Sequence, residues 1–279
     1  MTVLEVLQAT ATYFKKRDIE NPRLNAEHLL AHVLKRKRIE LYLEFERKLT
    51  ENELAALRDV VRRRSEGEPL QHLLGTVEFC GLTFLCDKRA MVPRPETEEL
   101  VELIADCGLR IADWRVVDVG TGSGVIALSL AAKFPEAQIV AVDISDDALA
   151  LAQENAARLN LTDRVQFLKS RLLESLEGTF DLIVANLPYI STQDRHTLSR
   201  EVLHDPEVAL FAGEQGDELV RELIDQSPSR LQPGGMLALE IGLGQSEALL
   251  SALAEKNYRD IYSKNDYNGV KRFLFGRYG

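Results

Sequence analysis

The tetrapeptide Asn186-Leu187-Pro188-Tyr189 follows the apolar run Phe180-Asp181-Leu182-Ile183-Val184-Ala185. At the end of a buried strand, these residue types can hold a planar nitrogen while an electrophile approaches it. The Asn186 side-chain oxygen can accept one N–H of an amide or arylamine. The carbonyl of Leu187 can accept the other, because the residue before a proline is held extended. Pro188 has no N–H to compete and fixes its own φ, and Tyr189 offers a ring that stacks on the planar group. With both hydrogens held, the nitrogen lone pair points at its partner in near-attack geometry. No strong general base is needed, since an N-alkylated, protonated amide loses its proton to almost any acceptor. The bland alternative is a turn that merely ends the strand, as Asn and Pro often do.

Upstream, Asp118-Val119-Gly120-Thr121-Gly122-Ser123-Gly124 closes another apolar strand. Gly120, Gly122 and Gly124 let the backbone turn sharply and approach a ligand without interference from a Cβ. No Gly-Lys-Ser/Thr ending follows, which removes the phosphate-loop reading. Asp143 lies 19 residues beyond Gly124, at the end of the next strand. A carboxylate there hydrogen-bonds ribose hydroxyls, although it could also cap a helix beginning near Asp146. On these residues alone a nicotinamide dinucleotide stays open. The tetrapeptide decides otherwise: hydride transfer has no use for a nitrogen clamp, whereas group transfer to nitrogen does. S-adenosylmethionine is the nucleoside cofactor that suits it, with Gly120, Thr121, Gly122, Ser123, Gly124 and Asp143 around it.

Strand–helix alternation must position these two motifs. Strands are expected at Val116–Val119, Ile139–Val142, Val165–Leu168, Leu182–Ala185, Met236–Ile241 and Phe273–Phe275, with amphipathic helices between them such as Asp146–Leu159 and Gln245–Lys256. That rhythm implies a mostly parallel sheet covered on both faces, which binds ligands at the carboxyl ends of its strands. Residues 1–66 read instead as helices, with Val3, Leu4, Leu7 and Phe14 at helical spacing. Thr50 and Glu53 have capping-box spacing for a helix that ends in Arg62-Arg63-Arg64. Basic residues at a helix C-terminus favour a solvated end, and so does Lys35-Arg36-Lys37-Arg38 after the preceding helix. Between the two regions, Val77-Glu78-Phe79 and Leu82-Thr83-Phe84-Leu85 flank Cys80-Gly81, a short hairpin. A helix then runs from about Glu96 to Asp106, with Pro95 in its first turn.

Composition narrows the setting. The 279 residues allow one large domain or a large and a small one. No apolar run approaches the roughly 20 residues of a membrane span, and no signal-peptide core opens the chain. Cys80, Cys86 and Cys107 form neither metal-ligand spacing nor an even disulfide set, so buried free thiols in a reducing cytoplasm are expected. Residues 1–74 carry 14 basic against 12 acidic side chains, and the remaining 205 carry 20 against 32. An acidic catalytic half is a poor match for a phosphate backbone, which argues against nucleic acid as the main substrate.

The motifs in order resemble the HemK/PrmC class of protein glutamine methyltransferases. The resemblance includes Glu68-Pro69-Leu70-Gln71-His72-Leu73-Leu74-Gly75, Glu78-Phe79 and Val92-Pro93-Arg94-Pro95-Glu96-Thr97-Glu98. It continues through the glycine loop, Asp143, Asn186–Tyr189 and Asp205-Pro206-Glu207-Val208-Ala209-Leu210. It implies an α/β fold: a Rossmann-like S-adenosylmethionine-dependent methyltransferase domain with a mostly parallel seven-stranded sheet, over residues 93–279. A small N-terminal all-helical domain that recognises the substrate occupies 1–74, and a β-hairpin linker occupies 75–92. The implied reaction moves a methyl group to the side-chain amide of the Gly-Gly-Gln glutamine in peptide-chain release factors, bound transiently by a monomer. Asn186, Pro188 and Tyr189 are the implied catalytic residues. Asn186, Leu187, Pro188, Tyr189 and Ile190 hold the substrate, while Leu172 and Asn186 join the cofactor set and Thr97 and Glu98 lie near the cofactor's amino-acid end. The chain departs from the family at Leu187, where Pro is usual. It departs again at Ser170-Arg171-Leu172, where an Asp and an aromatic usually flank the adenine. Arg171 cannot accept a bond from the adenine amine, but Leu172 can give apolar contact.

Other readings remain. An exocyclic amine of adenine in RNA or DNA would suit the same tetrapeptide, with a flipped base stacked on Tyr189. A non-catalytic scaffold would rest only on Leu187 and Arg171-Leu172. The long stretch 190–214, with His196 and His204, is expected to form a lid. Glu240 is as much an ordinary strand-end carboxylate as an approach to the site.

Overall fold

The computed structural model describes residues 1–107 and 114–279. Two compact units emerge, Met1–Thr76 with Ser199–His204, and Val77–Leu198 with Asp205–Gly279.

The first unit contains α1 (Val3–Lys15), α2 (Pro22–Leu34), α3 (Arg38–Leu41), α4 (Glu51–Ser65) and α5 (Leu70–Leu74). Thr2 and Thr50 each form a capping box, with Glu5 and Glu53, so two orphan N–H groups at each helix start are satisfied reciprocally. Val3, Leu7, Phe14, Leu29, Leu30 and Leu57 are buried together as its core. The arginine run at the end of α4 is not uniformly solvated. Arg62 and Arg63 pair with surface carboxylates, but Arg64 is 4% exposed. Its guanidinium donates to Asn25 Oδ1 at 2.7 Å, to the Glu68 carbonyl at 2.9 Å and to Glu201 Oε2 at 2.7 Å. A buried guanidinium needs such partners, and the last of them holds the returning segment Ser199–His204 to this unit.

The second unit opens with the hairpin β1 (Thr76–Phe79) and β2 (Leu82–Leu85). Cys80 and Gly81 at its tip have φ of 48° and 74°, the positive pair that a two-residue turn needs to match strand twist. There follow α6 (Pro95–Asp106), β3 (Arg115–Val119), α7 (Val125–Lys133), β4 (Gln138–Asp143), α8 (Asp146–Arg158), β5 (Val165–Lys169) and β6 (Phe180–Asn186). The unit is completed by α9 (Glu218–Gln226), β7 (Leu231–Glu240), α10 (Ser246–Ala254), β8 (Tyr258–Asn265) and β9 (Lys271–Tyr278). Seven strands form one sheet in the order β5-β4-β3-β6-β7-β9-β8. It is parallel through β7, then antiparallel at β9 and β8.

Alternate residues of each central strand feed opposite cores, as the period of two demands. Val116 and Leu182 pack with Leu100 and Ile104 of α6 and Leu128 of α7. Val117 and Ile183 pack with Leu223 of α9 and Leu249 of α10. Continuous apolar strands of this kind are expected of a parallel sheet buried on both faces. The chain runs outward through β3, β4 and β5, then returns to place β6 on the other side of β3. This switch point puts the ends of β3 and β6 side by side, with Val119 opposite Ala185, and opens a crevice beyond them. Among the described residues no helix is long and apolar enough to cross a membrane.

Candidate active site

The glycine loop leaves β3 and is pinned by the end of β4. Gly120 and Thr121 donate to the Val142 carbonyl at 2.8 and 2.9 Å, and Gly122 donates to Asp143 Oδ2 at 2.9 Å. Asp143 is not the cap of α8. That role falls to Ser145, whose hydroxyl accepts from Ala148 N–H, while Asp143 Oδ1 accepts from Ser145 N–H at 2.9 Å. Each carboxylate oxygen keeps further acceptor capacity. Burial pushes the Asp143 carboxyl above its ordinary value against the pull of these N–H groups. Beneath the loop, Asp118 is fully buried and pushed up to about 7, chiefly by desolvation. Its Oδ2 accepts from the Thr121 hydroxyl at 2.6 Å and from Ala127 N–H at 3.1 Å, whereas Oδ1 has no partner among the described residues.

The tetrapeptide lies against this loop: a Cβ on Gly120 would stand 2.9 Å from Leu187 Cδ2. Asn186 ends β6 directly opposite Glu240 at the end of β7. Between them, Thr97 reaches in from the first turn of α6. Asn186 Nδ2 donates to Thr97 Oγ1 at 2.9 Å, and that hydroxyl donates to Glu240 Oε2 at 2.7 Å. The amide nitrogen is therefore committed to the protein, and the Asn186 oxygen has no donor among the described residues. Glu240 is buried and pushed up to about 7, mainly by desolvation. Tyr189 is half-buried; its hydroxyl is raised to about 12, mainly by burial, and the Arg272 guanidinium lies 6.0 Å from its ring centre.

A cavity of about 220 Å³ joins both motifs. Gly120, Thr121, Gly122, Ser123, Asp143, Leu172, Asn186, Leu187 and Pro188 all line it, as does Thr97. Gly124, Tyr189 and Ile190 are not on its wall. Gly124 is the N-cap of α7, and Ile190 forms a bridge with Phe211. Glu98 turns its carboxylate to Cys80 N–H at 3.1 Å instead. At the far end Leu172 is buried despite a φ of 49°, a left-handed conformation that costs an ordinary residue about 1–2 kcal/mol. Arg171 beside it pairs with Glu222 and Glu174, and Leu172 and Ile144 are the apolar part of a wall that Ser170 and Arg171 also join.

Two further contributors are less evident in the sequence. The strap 89–93 lines the cavity through Arg89, Ala90, Met91 and Pro93. It is anchored by the buried Asp205, which accepts from Val92 N–H at 3.1 Å and from Arg94 at 2.9 Å. Gln245 donates to the Tyr189 carbonyl at 3.2 Å. Asp205 opens the stretch Asp205–Leu210, but its partners lie 111 and 113 residues away, and no local pattern announces such a bond. The stretch 190–214 forms short 3₁₀ turns around one bridge, and Pro206, Val208, Ala209 and Phe211 from it join the cavity wall. Among the described residues no three His, Cys, Asp or Glu side chains group as metal ligands.

The chain is similar to known proteins along its whole length. Residues 5–75 match the family described as PrmC N-terminal domain, and residues 97–215 match the Methyltransferase small domain. The release factor glutamine methyltransferase of Geobacter sulfurreducens is 41% identical over 280 residues, covering 100% of this chain and 97% of its own. The protein of the same name from Rhodopirellula baltica is 41% identical over 282 residues, covering 98% and 95%. A methyltransferase from Pyrococcus furiosus matches in fold with a TM-score of 0.54 at 20% identity, covering 71% of this chain and 90% of its own.

Proposed function

The chain belongs to the family of release factor glutamine methyltransferases, and from that footing we propose that it methylates the side-chain amide nitrogen of the Gly-Gly-Gln glutamine in a peptide-chain release factor. The observation that carries the chemistry is the Asn186 amide, whose nitrogen is bound to Thr97 and whose oxygen is left to accept. When bound, S-adenosylmethionine supplies the methyl group as an electrophile on a sulfonium sulfur. The cavity residues fit it. The backbone of Gly120–Ser123 permits close approach, Asp143 has acceptor capacity for ribose hydroxyls, and Leu172 with Ile144 offers an apolar wall for a base. Asn186 Oδ1 and the Leu187 carbonyl each take one N–H of the glutamine amide, which fixes its plane and directs its lone pair. Tyr189 lies immediately beyond them, and its raised hydroxyl keeps its proton at neutral pH.

The release factor is the large, transient partner, and the first unit, which carries the matched N-terminal family, is its recognition domain. The test is methyl transfer from labelled S-adenosylmethionine to a purified release factor. A factor with the Gly-Gly-Gln glutamine replaced and a sample of RNA and DNA run in parallel. Label on the intact factor alone is expected. Label on the nucleic acid, or on the substituted factor, would overturn the assignment.

A further inference from the structure

We propose that Thr97 and Glu240 are positioning residues that decide which end of the Asn186 amide faces the acceptor. This rests on the glutamine reading and adds to it a device that sets polarity. An asparagine amide has two nearly isosteric ends, and a half-turn exchanges one acceptor for two donors. Only the orientation with Oδ1 outward can hold a substrate N–H.

The choice is made one bond further back. A threonine hydroxyl has one proton, and here that proton is committed to Glu240 Oε2 at 2.7 Å. Toward Asn186, at 2.9 Å, the hydroxyl has only a lone pair to offer. A lone pair accepts N–H and repels a carbonyl oxygen, so Nδ2 must face Thr97 and Oδ1 must face the cavity. An ionised carboxylate has no proton of its own, so Glu240 can act in this chain only as its terminal acceptor. Thr97 is 3% exposed and Glu240 1%, so water does not compete for these bonds.

The relay has a pH dependence with a definite sign. Glu240 faces Arg272 from β9, Glu96 and Thr97 from α6, and Asn186 and Tyr189 from the end of β6. Burial raises its pKa and Glu96 adds to that, while Thr97, Arg272 and Asn186 lower it. Once protonated, Glu240 can donate to Thr97, whose own proton is then free to turn toward Asn186. Both amide orientations become available, and the fraction holding substrate falls. Activity should therefore rise as Glu240 ionises.

The experiment measures kcat and KM on a purified release factor from pH 6 to 8.5, with S-adenosylhomocysteine binding followed by calorimetry. Wild type is expected to lose several-fold in kcat toward pH 6. Thr97→Val should lose about 10- to 100-fold in kcat, the scale set by a misdirected catalytic hydrogen bond, with S-adenosylhomocysteine affinity within about twofold. Thr97→Ser, which keeps the hydroxyl, should recover most of the rate. Glu240→Gln should flatten the pH profile, because a glutamine amide can present either end at every pH. Thr97→Val at the wild-type rate, or Glu240→Gln with the wild-type profile, would overturn the relay. If Thr97→Val fails to fold, the Glu240→Gln profile still decides. Wild type that leaves the glutamine unlabelled would overturn the glutamine reading itself, a result distinct from either.

Discussion

At Asn186 and Asp143 one side chain serves each half of the cavity, and the two should fail differently. Asn186→Ala removes an acceptor aimed at the reacting nitrogen, so kcat should fall by about 10²-fold or more, with S-adenosylhomocysteine affinity nearly unchanged in calorimetry. Asp143→Ala should do the reverse first. It removes a carboxylate that also holds Gly122 and Ser145 N–H, and bonds to charged groups are worth about 1.5–3 kcal/mol, so affinity should drop at least about tenfold. Equal loss of both quantities in either variant would refute the division. Both residues were picked out in the sequence by type and place, a polar residue closing an apolar strand, and the structure puts both on the cavity wall. Thr97 entered only through the resemblance and Glu240 only as an even choice, and the bond that joins them was not legible, since a hydroxyl in a helix turn and a carboxylate at a strand end look ordinary until a fold joins them. Arg64 is the same lesson in the other direction: within Arg62-Arg63-Arg64, nothing local marks the one that turns inward.

Helices and strands repeat the pattern. The parallel strands were plain as short apolar runs, because burial on both faces leaves no polar alternation to confuse them. β8 escaped notice. It is the edge strand, Tyr258-Arg259-Asp260-Ile261-Tyr262 puts two charged residues side by side and breaks the alternation of a strand, and Asp260 sits at a φ of 48° within a register shift. Edge strands with bulges lack the signature of a buried strand. The helix behind the glycine loop makes a sharper prediction. Gly124 caps α7 at a φ of 84°, and a Cβ there would lie 3.1 Å from both Ala152 Cβ and Leu128 Cδ1. Gly124→Ala combines a left-handed alanine with crowding of α7 against α8. It should cost about 1–3 kcal/mol, lower the melting temperature and weaken S-adenosylhomocysteine binding. An unchanged melting temperature would mean that the loop is not held as described.

For the molecule as a whole, buried carboxyls couple stability to pH. Asp118 and Glu240 are each raised to about 7 in the folded protein. Well below pH 4 both are protonated whether folded or not. Between about 4 and 7 the unfolded chain ionises them while the fold resists, so stability falls through that window and levels above it. At about 1.4 kcal/mol per pKa unit, each contributes a loss on the order of a few kcal/mol. Glu53 and Glu68 act oppositely: a backbone bond from Thr50 and an ion pair with Arg63 hold them low, so their contribution is lost as pH falls below about 4.5. The melting temperature should peak between about pH 4 and 5, decline to about pH 7 and then level, and Asp118→Asn should reduce the decline. A flat profile between pH 5 and 7 would contradict this. The order in which the chain is made adds a last consequence. Gly122 and Asp143 are 21 residues apart and can meet once β3 and β4 exist, but Thr97 and Glu240 are 143 residues apart. A growing polypeptide therefore cannot orient its acceptor amide until residue 240 has left the ribosome, and the amide that meets the substrate is the last part of the site to be set.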